Sequence, residues 1–134
     1  RIRAGKRTDW RTDVKTFFLL GAIFGGLGVA FGAFGAHALQ ARLSPDDLAT
    51  FEIGVRCQLI HAVALLAVAW ATTQWSGSMV TVAGWAFTVG IVVFSGSLYT
   101  LVLTGQRWLG AITPIGGVAF LVGWSLLAWT ALRS

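Results

Sequence analysis

Charge is what this sequence has least of. Between Arg56 and Arg107 fifty consecutive residues include no Asp, Glu, Lys or Arg, and residues 16–41 and 108–132 include none either. Only 11% of the chain is charged, whereas a water-soluble domain is about 25% charged. That excludes the ordinary soluble enzyme classes. Cysteine is reduced to Cys57, so no internal disulfide can form. Proline occurs only at Pro45 and Pro114, which leaves long stretches free to run as unbroken helix. Histidine occurs twice, as His37 and His61, too few to build a metal site without further ligands.

What remains is apolar: 56% of the chain is hydrophobic, with 17 glycines and 7 tryptophans. A hydrocarbon core about 30 Å thick takes about 20 residues of helix. The middle run is long enough to cross twice and each flanking run once. The expectation is an all-α bundle of four transmembrane helices, at about residues 17–36, 57–74, 80–103 and 114–132. A chain of 134 residues leaves room for one such domain, residues 17–134, behind a basic arm of residues 1–16.

The net charge of +5 is concentrated in that arm, where Arg1, Arg3, Lys6, Arg7, Arg11 and Lys15 outnumber Asp9 and Asp13. Beside a membrane helix such a cluster is a topogenic signal drawn to anionic lipid, not a nucleic-acid footprint. Arg133 adds to that side, against Arg42, Arg56 and Arg107 on the other, so both termini are expected in the cytoplasm. Ala36, His37 and Ala38 make a weak signal-cleavage site. The apolar run is longer than the usual 7–15 residues, about the limit for a signal peptide, so it reads as a retained helix.

Gly21, Gly25, Gly28, Gly32 and Gly35 form a stripe at alternating spacings of four and three along the first helix. In lipid, small residues let helix backbones approach closely. The stripe serves packing inside the bundle or, less readily, a face toward a partner or another copy. Ser44, Pro45, Asp46 and Asp47 mark a helix start by capping, fixed φ and charge at the dipole. Leu48, Phe51, Val55 and Leu59 then recur at helical spacing. This predicts a short interfacial helix between the first and second spans that runs into the second. Glu52 and Arg56 stand four apart and could pair. Thr113 and Pro114 open the fourth helix, or Pro114 kinks it with Gly116 and Gly117 absorbing the bend. Trp75 and Trp108 fall at expected membrane borders.

Intramembrane polar groups are costly and so are candidates for function. His37 ends the first helix, and His61 lies near the same face of the second, with Gln58, Glu52 and Arg56 close in sequence. They are expected to join the first two helices in a hydrogen-bonded network, with Ser95, Ser97 and Tyr99 of the third helix contributing. His37 and His61 are weak candidates to hold haem or a metal, and no cofactor is expected. A nucleophilic Ser97 would need His61 as its base at matching depth.

Four segments, in order, carry a family resemblance. They are Gly32-Ala33-Phe34-Gly35-Ala36-His37, then Glu52 through His61, then Phe94-Ser95-Gly96-Ser97-Leu98-Tyr99, and Thr113-Pro114-Ile115-Gly116-Gly117 followed by Gly123-Trp124. Together they resemble the YgdD/YwdK-like small inner-membrane proteins, the family of unknown function numbered four hundred and twenty-three, which has mitochondrial transmembrane relatives. Cys57 departs from the tyrosine usual at that point, and the basic arm is longer than usual. The resemblance implies a multi-pass protein of the bacterial inner membrane and supplies no activity. The glycine stripe, short loops and basic arm suit a non-catalytic accessory subunit of a larger complex, respiratory or photosynthetic, whose partners are other subunits and lipids. A small carrier or channel with His37, Glu52 and His61 lining a path is the first alternative. A membrane redox or lipid-active protein is the second.

Overall fold

The computed structural model of the chain describes residues 4–134, with side chains described from Trp10 onward. Four rods of helix run up and down, and no strand occurs among the described residues. α1 spans Ala4–Phe34 and continues as a π-helical turn, Gly35–Leu39. α2 is Pro45–Gln74. α3 runs Ser78–Gly90, through a π turn at Ile91–Ser95, and on as Gly96–Thr104. A 3-10 turn at Arg107–Ala111 leads into α4, Thr113–Arg133. Each rod is long and apolar enough to cross a membrane.

The helix boundaries follow local chemistry. Ser44 caps α2, its hydroxyl accepting the Asp47 backbone N–H at 3.1 Å, with Pro45 in the first turn. Gly77 and Gly105 take positive φ, 109° and 73°, at the two tight turns around α3, where a side chain would be strained. Pro114 sits in the first turn of α4, so it starts the helix and does not kink it.

Two expected boundaries move. α1 already begins at Ala4, so the segment expected as a separate arm is continuous helix with the first span over its described part. Arg1 and Arg3, and the side chains of Lys6 and Arg7, lie outside the described residues. The interfacial helix expected to run into the second span is not shown as an element of its own: Pro45–Gln74 is one uninterrupted helix. Nothing between Asp47 and Gln74 breaks it, because that stretch holds one glycine and no proline. At about 1.5 Å per residue its 30 residues outreach a core about 30 Å thick by roughly ten residues.

α2 and α3 form the centre. α1 packs on α2 and α4 packs on α3, so α1 and α4 lie on opposite flanks. One core cluster gathers Phe17, Leu65, Val68, Val80, Phe87, Ile91 and Phe120. A second, toward the α1–α2 loop, gathers Leu39, Phe51, Val55, Leu101 and Val102.

Candidate functional site

Close approach sets up the polar contacts. On α1, a Cβ added at Gly21 would meet the Ala62 carbonyl oxygen at 2.8 Å, and one at Gly28 would meet Leu59 at 2.6 Å. At Gly35 it would meet the Phe51 ring at 2.9 Å, and at Gly32 a Val55 methyl at 3.3 Å. Gly25 is looser, 3.8 Å from the Ala62 methyl. These five glycines therefore lie along α2. Elsewhere aromatic rings sit on glycines of another helix: Phe17 on Gly84, Tyr99 on Gly54, Phe120 on Gly90 and Phe87 on Gly123. Gly116 lies against the backbone of Phe94 within the π turn of α3, while Gly117 only grazes the Phe94 ring at 3.9 Å.

Two junctions use this proximity. In the first, Gln58 is 2% exposed and joins three helices. Its Nε2 donates to the Phe24 carbonyl of α1 at 2.9 Å, and its Oε1 accepts from the Tyr99 hydroxyl of α3 at 2.7 Å. The bare α-carbon of Gly28, one turn from Phe24, lets the Gln58 stem come this near. The Tyr99 ring packs between Phe31 and Phe51, at centroid distances of 5.2 and 4.9 Å. Four residues earlier on α3, the Ser95 hydroxyl donates to the Gly54 carbonyl of α2 at 2.7 Å.

The second junction is built on His61, 7% exposed, which faces α3 and α4. Its Nδ1 bonds the Cys57 carbonyl at 2.7 Å. A carbonyl only accepts, so Nδ1 carries the proton and Nε2 is the bare nitrogen. Nε2 accepts from the Trp124 indole N–H of α4 at 2.9 Å. The imidazole stacks on Phe120 with centroids 3.6 Å apart and planes 9° from parallel, and Phe87 of α3 packs at 5.5 Å. Each polar atom of the ring is satisfied by this one neutral tautomer.

The expected network is thus split and partly re-sited. Among the described residues the hydrogen bonds and ring contacts of His61 go to α2, α3 and α4, and it is Gln58 that bonds α1. The two residues are three apart, which on a helix turns them about 60° from one another and toward different neighbours. His37 and Glu52 are exposed, whereas His61 is buried. Arg56 is exposed as well, and Glu52 forms no ion pair with it among the described residues. The observed pair is Arg107 with Asp47, bidentate at 2.9 and 3.2 Å. It ties the turn before α4 to the first turn of α2. Ser97 bonds Thr113 of α4 at 2.6 Å and the Phe94 carbonyl at 2.9 Å, so its hydroxyl is engaged away from His61.

Three participants escape sequence reasoning. Trp124 could face lipid or the bundle by pattern alone. Phe24 contributes only a backbone carbonyl. Asp13 accepts from Thr81 of α3 at 2.9 Å, a contact across 68 residues with no local signature. The Gly123-Trp124 pair within the family-like segment was the available hint for Trp124.

No group of three or more His, Cys, Asp or Glu able to hold a metal is present among the described residues. Chemically, both junctions are donor–acceptor sets closed on themselves. Their evident capacity is to fix helix positions.

Comparison with known proteins gives a consistent result. Residues 31–117 match the family described as protein of unknown function DUF423. The UPF0382 membrane protein YwdK of Bacillus subtilis is 45% identical over 121 residues, covering 90% of this chain and 98% of that protein. UPF0382 membrane proteins of Staphylococcus aureus and Staphylococcus epidermidis are 46% and 44% identical, over 85% and 90% of this chain and 93% and 98% of theirs. No solved structure matches the chain.

Proposed function

The chain belongs to the DUF423 family of membrane proteins of unknown function, and on that footing we propose that it is a non-catalytic accessory subunit of a larger bacterial inner-membrane assembly. The observation that carries this reading is the uneven burial of the four helices. The apolar stretches of α2 and α3 are 50% and 44% buried, whereas those of α1 and α4 are 17% buried. The two flanking helices therefore turn broad faces outward: Phe18, Leu19, Leu27 and Val29 on α1, and Ile115, Val118 and Leu121 on α4. Meanwhile the buried polar groups are engaged inside the bundle, where they hold the helices in register.

A scaffold of this kind offers rigid apolar walls to neighbouring subunits and lipid. The orientation that suits it keeps both termini, with Arg11, Lys15 and Arg133, on the cytoplasmic side. A respiratory or photosynthetic complex is a host of the right kind.

Photo-cross-linking tests the reading. A benzophenone side chain at Val29 or Leu121 in native membranes should capture a discrete protein partner. Lipid adducts alone at both positions would contradict a subunit role.

A further inference from the structure

The His61–Trp124 contact has a property that the structural role does not require. We propose that it is a proton-released latch: protonation of His61 breaks the hydrogen bond that ties Trp124 of α4 to α2.

The argument is donor–acceptor accounting. The bond to the Cys57 carbonyl holds the proton on Nδ1, and the bond from the Trp124 indole needs a bare Nε2. Indole nitrogen is a donor only. A proton added at Nε2 would set two N–H groups head to head across 2.9 Å, so attraction becomes repulsion. Among the described residues no anionic side chain contacts the ring to neutralise the resulting imidazolium. α3 presents Phe87, and α4 presents Phe120 and Trp124. On α2 itself the titratable and charged neighbours are Cys57 and Arg56, neither an anion at neutral pH. Tyr99, on α3 toward the loop end, is bonded to Gln58. No titratable or charged group of α1 contacts His61 among the described residues.

The two ring partners respond differently. Phe120 stacks face to face and can hold a cation over its ring. Trp124 offers its N–H and an edge-on ring contact at 5.7 Å, and it is 44% exposed on the outer surface of the bundle. Trp124 is therefore the partner that leaves. The consequence reaches the helix because α4 packs chiefly on α3 and meets α2 at His61 through Phe120 and Trp124. Among the described residues, Trp124 to His61 is the only hydrogen bond from α4 to α2.

The test uses the full chain in vesicles of phosphatidylethanolamine and phosphatidylglycerol. His37→Gln leaves His61 as the single imidazole, which can then be followed by nitrogen-15 resonance from about pH 8 to about pH 4. The expected starting state is the neutral Nδ1–H tautomer. On acidification the Trp124 indole signal, assigned by its loss in Trp124→Phe, should lose its hydrogen-bonded shift at the His61 midpoint. His61→Gln keeps an acceptor that does not titrate, so its indole signal should stay flat. Three results would overturn the proposal: an indole signal indifferent to His61 titration, no titration of His61 before helicity is lost, or the same midpoint in His61→Gln. Should His61→Gln fail to insert, agreement of the two midpoints in the His37→Gln chain decides alone.

Discussion

At the scale of single residues, every buried side-chain nitrogen and oxygen among the described residues has a hydrogen-bond partner. Gln58 is the clearest case, since its side chain spends both ends on different helices. Removing the Tyr99 hydroxyl leaves the buried Gln58 Oε1 without its donor. Tyr99→Phe should therefore lower stability by about 1 kcal/mol, within the range for interhelical hydrogen bonds in membranes. Gln58→Leu should cost at least as much, because it orphans the Tyr99 hydroxyl and severs α1 from the junction. Reversible unfolding in mixed micelles measures both; a loss on Tyr99→Phe with none on Gln58→Leu would contradict the arrangement. The polar candidates were legible as residues but not as pairs. Gln58, His61, Ser95 and Tyr99 stand out in an apolar chain, yet their partners include a backbone carbonyl on α1 and an indole on α4. Hydropathy and spacing along one helix carry no information about rotation against the next.

At the scale of elements, glycine sets the distance between α1 and α2. The constructed Cβ of Gly25 lies 3.8 Å from the Ala62 Cβ, inside the separation of about 3.5–4.5 Å that a disulfide spans. A Gly25→Cys, Ala62→Cys pair, with Cys57→Ser to remove the native thiol, should oxidise readily. Adding Gly28→Leu should abolish that cross-link, since a side chain there meets Leu59 at 2.6 Å from its first atom. Gel mobility with and without reductant reads the result. Undiminished cross-linking in the quadruple variant would mean that the stripe does not govern the approach. The periodic glycines made the stripe visible in sequence. Its target, α2, and the aromatic rings seated on Gly54, Gly84, Gly90 and Gly123 depend on tertiary register. The π turns at Gly35–Leu39 and Ile91–Ser95 have no sequence signature either; the second lies where Gly116 abuts the Phe94 backbone.

At the scale of the whole molecule, the four spans could be read from uncharged runs because the bilayer imposes a length on any helix that crosses it. The separate interfacial helix could not, since Ser44 and Pro45 fix where a helix starts but not where it bends. What emerges is a narrow bundle with its polar side chains turned on one another and two apolar flanks turned outward. Such a molecule suits a place among other membrane subunits. The most direct measurement is mass spectrometry of whatever accompanies the chain from native membranes in mild detergent. The subunit reading predicts a larger complex in fixed stoichiometry; recovery of the chain alone, or only with copies of itself, would contradict it.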